Sequence, residues 1–284
     1  KVAFEKVNGK IKPSEFKRGP QDAPWTDIAN HPTAIMDSAA TELDGKVYNA
    51  AGIDAGLGFL NTLYAYDPSS DSWTQLASMS KQRERPAVAA IDGLIYVTNG
   101  WDSGGSPTGA LEIYDPATDS WSSGAPNPNP MGGGSDGINF EGKFYVIGGC
   151  DSGSCGFTNV EVYDPSSDSW SSAADYPEPI SWQACGVMNG QIYCAGGTAG
   201  NGTTANGYVY DSGSDSWSPI APIPQDQWAM GYVAADDKLY ISGGVTDGFS
   251  TITNEGFVYD PNSDSWSSIE NWNNTLYRDA AACG

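Results

Sequence analysis

The sequence predicts an all-β fold, a six-bladed β-propeller built of four-stranded antiparallel blades, with the sixth blade incomplete in this chain. Three observations predict it. The octapeptide Tyr-Asp-x-x-x-Asp-Ser-Trp occurs five times, at Tyr66–Trp73, Tyr114–Trp121, Tyr163–Trp170, Tyr210–Trp217 and Tyr259–Trp266. With Trp25 added, the tryptophans recur every 47 to 49 residues, a period that marks a repeat architecture. Each period holds four short strand-like runs, and 35 Gly and 18 Pro suit the many tight turns between them.

Taken in chain order, residues 1–24 do not match the repeat and form an N-terminal extension. Within it, Val2–Ile11 reads as a hairpin around Asn8-Gly9, followed by a basic, proline-containing connector. The propeller is expected to occupy residues 25–284. Each unit opens on a small, apolar first strand, at Ser38–Leu43, Ala87–Ile91, Ser135–Phe140, Trp182–Met188 and Trp228–Ala235. A two-residue turn follows, at Asp44-Gly45, Asp92-Gly93, Glu141-Gly142, Asn189-Gly190 and Asp236-Asp237. The second strand ends in a hydrophobe and Tyr, then a glycine pair in the last three units, relaxed to Ala51-Gly52 and Asn99-Gly100 in the first two. Positive φ or close backbone approach is the physical reason for such glycines. A variable loop leads to the third strand, which ends at the Tyr-Asp of the octapeptide. Asp-Pro turns the chain, and Asp-Ser-Trp opens the fourth strand. The recurring Tyr and Trp cover the face that each blade must bury against the next.

Paired glycines after an apolar-Tyr strand, followed by Tyr-Asp and Trp, resemble the kelch repeat over about nine tenths of the chain. The wording is also similar to propeller segments attached to secreted bacterial hydrolases. Kelch-like rings usually close by joining an N-terminal strand to C-terminal strands, which the resemblance extends to Trp25 and to Tyr277–Gly284. The middle of that sixth blade is then missing. Either a further segment completes it or the Val2–Ile11 hairpin does, and the unfinished sheet edge favours the first.

The five cysteines bear on compartment. The Asn189-Gly190 turn places Cys185 opposite Cys194 at a non-hydrogen-bonded pair, within disulfide reach. Cys150 and Cys155 bracket a four-residue loop and are candidates for a second bridge, leaving Cys283 unpaired. Buried thiols are the alternative. Bridges at both places favour an oxidising, extracellular setting.

Charge and inventory narrow the function. Thirty-five acidic against 13 basic residues give a net charge of −22, which repels nucleic acid and anionic membrane surfaces. No apolar run is long enough for membrane insertion as a helix. His31 is the only histidine, so a His-rich metal site is excluded and a Ser-His-Asp triad would depend on a loop residue before Pro32. No cofactor is expected. Ca²⁺ is the one ion that Asp54, Asp102, Asp151 and Asp247 invite, and without a ligand ladder they read as turn residues.

The leading expectation is a secreted recognition or scaffold module, part of a larger extracellular protein, binding a protein or glycan on the variable-loop face. The residues expected there are Trp101, Phe157, Trp182, Trp228 and Phe249 with Arg83 and Arg85; the loops also carry Phe59, Tyr176 and Trp272. A carbohydrate-active enzyme, an isomerase, lyase or hydrolase, is the rival. It requires Arg83, Glu84, Arg85, Asp136 and Asp226 to converge in a concave channel mouth, with Glu178 and Arg278 as further candidates. A self-assembling structural protein is the third reading.

Overall fold

The computed structural model describes residues 5–7, 10–12, 27–200, 202–246, 248 and 250–271. Within them stand five four-stranded antiparallel blades. Blade 1 runs Ala39–Leu43, Lys46–Ala50, Leu63–Asp67, Ser72–Leu76. Blade 2 runs Ala87–Ile91, Leu94–Thr98, Leu111–Asp115, Ser120–Gly124, and blade 3 runs Asp136–Phe140, Lys143–Ile147, Val160–Asp164, Ser169–Ala173. Blade 4 runs Ala184–Met188, Gln191–Ala195, Gly207–Asp211, Ser216–Ile220, and blade 5 runs Gly231–Ala235, Lys238–Ser242, Gly256–Asp260, Ser265–Ile269. First strands of successive blades lie side by side around a central channel. Five blades, not six, are therefore present among the described residues. Trp25, Tyr277–Gly284 and Cys283, on which the sixth blade was expected, lie outside them, as do Asp247, Phe249, Trp272 and Arg278. In the extension, Glu5–Val7 pairs antiparallel with Lys10–Lys12.

Turn chemistry accounts for the hairpins. Both central residues of each first turn have positive φ, as in Asp44 (52°) with Gly45 (76°) and Asp236 (50°) with Asp237 (55°), which is the type I′ geometry. The glycine pair divides its labour. Its first position is left-handed and accepts Ala51 or Asn99 (both φ 61°), whereas the second has φ from 89° to 119° and is Gly in every blade. A Cβ on Gly100 would also stand 2.5 Å from the carbonyl oxygen of Glu84. The relaxation seen in the first two units thus falls only where L-residues are tolerated.

The core lies between blades. One apolar cluster joins Tyr48, Leu63 and Ala65 of blade 1 to Val88, Ile95 and Tyr114 of blade 2. Equivalent clusters join blades 2 and 3, 3 and 4, and 4 and 5. Burying one such large side chain contributes about 1.5–3 kcal/mol.

The octapeptide is a clamp as well as a turn. Its second Asp is left-handed in all five copies, with φ of 45° to 47°. In blade 2, Asp119 Oδ1 accepts from the Tyr114 hydroxyl (2.7 Å) and from the N–H of Ala77 (2.8 Å) in blade 1. Trp121 Nε1 donates to the carbonyl of the same Ala77 (2.7 Å). Ala125, Ala174 and Ala221 are gripped alike by the Asp and Trp of blades 3, 4 and 5. Blade 1 makes the same two bonds to Ala29, from Asp71 (2.7 Å) and Trp73 (2.9 Å). These contacts depress the carboxylates of Asp119, Asp168 and Asp215, chiefly through the alanine N–H and then the Tyr hydroxyl.

Both expected disulfides form. Cys185 pairs with Cys194 in the anticipated register, Cα atoms 4.1 Å apart, and Cys150 joins Cys155 with Cα atoms 4.0 Å apart.

Candidate functional site

Above the blades, on the face of the variable loops, a second tier of short pairings is built. In each blade the segment leading into strand one bridges the start of the second-to-third-strand loop. The pairs are Met36–Ile53, Glu84–Trp101, Gly133–Cys150, Ser181–Thr198 and Trp228–Val245. Trp101 and Trp228 are therefore members of a ladder rather than free loop residues. Trp101 is half-buried against the backbone of Gly132, where a Cβ would stand 2.2 Å from its ring. Trp228 is 7% exposed and packs with Ala229 and Val245.

Two residues before each first strand the backbone turns left-handed: Asp37 (φ 57°), Arg85 (53°), Gly134 (68°), Trp182 (55°) and Ala229 (50°). Such a turn costs a non-glycine residue about 1–2 kcal/mol, so its recurrence is built in. It also ends the strand there: the first strands of blades 4 and 5 begin at Ala184 and Gly231, not at Trp182 and Trp228 as expected. Backbone hydrogen bonds tie these positions from blade to blade, Arg85 N–H to Asp37 O (2.6 Å), Trp182 N–H to Gly134 O (2.8 Å) and Ala229 N–H to Trp182 O (3.3 Å). The consequence is a ring of non-repeating side chains around the channel mouth.

A cavity of about 120 Å³ occupies this mouth and touches all five blades. Two polar pairs line it. Arg85 Nη2 donates to Asp37 Oδ2 at 2.7 Å, and its guanidinium lies 6.0 Å over the Trp182 ring, which meets Trp228 edge-on at 5.5 Å. The Tyr232 hydroxyl of blade 5 donates across the channel to Asp136 Oδ1 of blade 3. Asp136 is 6% exposed, and burial pushes its carboxyl up to about 7, against the opposing pull of Tyr232 and the N–H groups of Cys185 and Gly137.

Of the residues expected at the site, Arg85, Asp136 and Trp182 line this cavity. Arg83 does not: it is wholly buried inside blade 2. Its Nη2 donates to Glu112 Oε2 (2.6 Å) and its Nη1 to the carbonyls of Asn99 (3.1 Å) and Ala110 (2.9 Å), which makes it a strut for the loop. Desolvation lowers its pKa and the Glu112 carboxylate opposes that. Gln227 holds the equivalent place in blade 5, donating to the carbonyls of Gly243 and Glu255. Asp226 binds the hydroxyls of Thr203 and Thr246, and Glu178 binds Thr204 and Asn206, so both pin loops. Glu84 lies in the Trp101 ladder. The full convergence that the enzyme reading requires is not formed.

Among the loop aromatics, Phe157 is half-buried and bridges Ile180, while Tyr176 is 1% exposed in the cluster between blades 3 and 4. His31 stacks edge-on between Tyr64 and Trp73 with Nδ1 at Thr33, and burial lowers its pKa. Asp54, Asp102 and Asp151 each accept two backbone N–H bonds from their own loops, the role of turn residues. Sequence reasoning missed Asp37 and Tyr232. The signal that finds Tyr232 is its position: second in a first strand, where the other blades carry Ala40, Val88, Gly137 and Cys185.

Residues 87–281 match the family model of the KLHDC2/KLHL20/DRC7 kelch-repeats domain, and residues 36–80 match the kelch motif. Among solved structures, that of YjhT is similar in fold, with a TM-score of 0.73 over 87% of each chain at 19% identity. Among curated proteins, none matches the chain in sequence. With four-stranded blades joined by an Asp-Ser-Trp clamp and a family match across more than half its length, the chain belongs to the kelch-repeat family of β-propellers.

Proposed function

We propose that this kelch propeller is a secreted recognition module that docks a protein ligand on its variable-loop face, centred on the channel mouth. The observation that carries the reading is the ring of left-handed positions, which spends backbone strain to aim Asp37, Arg85 and Trp182 at one cavity. The repeated face opposite holds hairpin turns whose residues are explained by their own geometry. Two disulfides fit an extracellular setting.

A carbohydrate-active enzyme is less well supported. Asp37 is locked to Arg85, and the cavity lies below the roughly 300 Å³ at which ligand clefts usually begin. A protein partner reading the surrounding loops needs only a side chain to enter.

The recognition surface would be completed by a sixth blade. Ala29 supports it: every other alanine in the interblade clamp stands four residues after the Trp of its own blade, and Ala29 stands four after Trp25.

The test is a binding screen of the labelled chain against secreted proteins and glycans, followed by two variants. Trp182→Ala keeps a residue that the equivalent Ala229 shows to be tolerated at this φ. It is expected to weaken ligand binding at least tenfold, whereas Lys143→Ala on the hairpin face leaves it unchanged. Equal losses from both variants, or none from Trp182→Ala, would refute docking at the channel mouth. Self-assembly, rather than docking, would appear as a mass that grows with concentration in light scattering.

A further inference from the structure

The channel wall is made of small residues with two departures. First positions of the first strands are Ala39, Ala87, Asp136, Ala184 and Gly231; second positions are Ala40, Val88, Gly137, Cys185 and Tyr232. Packing therefore needs neither a carboxylate nor a phenol there. The two exceptions, from blades 3 and 5, bond to each other across the channel.

The N–H groups of Cys185 and Gly137 also pull on this carboxylate, but one of its oxygens stays unbonded. Oδ2 of Asp136 is buried with no hydrogen-bond partner. Gln183, in the same cavity and 4% exposed, donates Nε2 to the carbonyl of Ile147 (3.0 Å), and its Oε1 is buried, also without a partner. An orphaned buried acceptor is costly, so two acceptors at one cavity call for a donor from outside. The arriving group must also supply charge. Arg85 is committed to Asp37, so that pair is neutral as a unit and the carboxylate of Asp136 is the uncompensated charge of the cavity. The groups facing it, Tyr232 from blade 5 and the buried Tyr176 between blades 3 and 4, are phenols. At this cavity of about 120 Å³ Trp182 offers an aromatic wall, and a net charge of −22 draws cations toward it.

We propose that the channel mouth receives one alkylammonium group, the lysine side chain of a protein partner, which donates to Asp136 Oδ2 and Gln183 Oε1 beside Trp182. The inference rests on the recognition reading and names the chemistry of its central contact. The carboxyl of Asp136, which titrates at about 7, must ionise to receive the cation.

The experiment uses the full chain and n-butylammonium chloride, with binding read by tryptophan fluorescence at constant ionic strength. Butylammonium is expected to bind about tenfold more tightly at pH 8 than at pH 6, since ionisation of a group with that pKa rises from about a tenth to about nine tenths. 1-Butanol, which lacks the charge, and tetramethylammonium, which lacks N–H donors, are expected not to compete. Asp136→Asn is expected to abolish binding while the protein keeps its cooperative unfolding. A lysine tripeptide blocked at both ends should compete and its Nε-acetylated form should not; competition by spermidine alone would assign the site to free polyamines and overturn the lysine reading. Butanol binding as well as butylammonium, unchanged affinity in the folded Asp136→Asn variant, or no binding at all would overturn the cation site. The two readings fail separately: a partner lost on Trp182→Ala without butylammonium binding leaves the recognition module standing and removes the lysine.

Discussion

Replacing Asp136 by Asn should stabilise the protein at alkaline pH, and by an amount that the environment of this carboxyl sets. An aspartate ordinarily titrates near 3.8, and burial moves Asp136 to about 7. Between those values the unfolded chain releases a proton that the folded chain retains. Stability contributed by the neutral form is thus complete below 3.8 and is lost as pH rises to about 7, after which the loss is constant. At about 1.4 kcal/mol for each tenfold change in proton affinity, the loss amounts to about 4 kcal/mol. Against a typical total of about 5–15 kcal/mol this is large. Asparagine cannot ionise, and its Oδ1 can still accept from Tyr232. Asp136→Asn should therefore match the wild type near pH 3.5, gain steadily from pH 4 to 7 and stay up to about 4 kcal/mol more stable at pH 8. Urea unfolding followed by circular dichroism at five pH values gives the difference directly. Taking the difference matters, because the carboxylates of Asp119, Asp168 and Asp215, depressed by their clamps, destabilise both proteins alike in acid. A difference that does not vary with pH, or a variant weaker than wild type at pH 8, would show that the folded protein already neutralises this carboxylate, and the argument from its burial would be wrong.

The other expected outcomes follow from the scaffold. Arg83→Met leaves Glu112 charged and buried and should cost about 3–5 kcal/mol in urea unfolding, with most of it recovered when Glu112→Leu is added. No recovery in the double variant would mean that Arg83 acts mainly through the carbonyls of Asn99 and Ala110. Trp121→Phe and Trp170→Phe each remove one indole hydrogen bond to the preceding blade and should cost about 1 kcal/mol and the same amount. A wide gap between the two would contradict an equivalent clamp at every seam. Cys185 and Cys194 are both buried whereas Cys155 is exposed, so mild reductant followed by alkylation and mass analysis should label the Cys150–Cys155 pair first. Simultaneous Cys185→Ala and Cys194→Ala should then cost about 2–3 kcal/mol, the closure entropy of a loop this short.

Legibility differed between the two tiers of the molecule. Blade strands, turns and the Cys185–Cys194 register were readable because each depends on bonds between residues close in sequence, where period and turn type decide pairing. The octapeptide announced a turn and a buried Trp, but its grip on an alanine of the neighbouring blade was not visible, since the alanine has no side-chain signature and only its backbone is used. In the loop tier, local composition misled. Trp228 and Tyr176 read as exposed aromatics on variable loops, yet the ladder from Trp228 to Val245 and the cluster between blades 3 and 4 bury them. Arg83 and Arg85 are two residues apart and looked alike. On a short bridging strand such spacing would keep them on one face, but the left-handed φ at Arg85 breaks the alternation and sends one guanidinium inside the blade and the other to the channel.

A repeat protein carries its own standard of comparison, and the channel pair shows how far that standard reaches. Asp136 stood out in the sequence as an acid near the entry to a first strand, and the structure adds that the four other blades place Ala or Gly at its position. Tyr232 did not, because a tyrosine in an apolar strand passes for core, and only alignment of the second position across blades exposes it as a large residue among small ones. The partnership could not be read at all: blades 3 and 5 are not neighbours in sequence, and nothing local says that their first strands face each other over one opening. The side-by-side placement of the first strands of successive blades supplies that relation. Each departure from the repeat is costly alone, one a buried carboxylate and the other a bulky ring in a narrow channel, and each lessens the cost of the other by a single hydrogen bond. The half of the cost that the bond leaves, at Oδ2, is the part of the scaffold that scaffold physics does not explain.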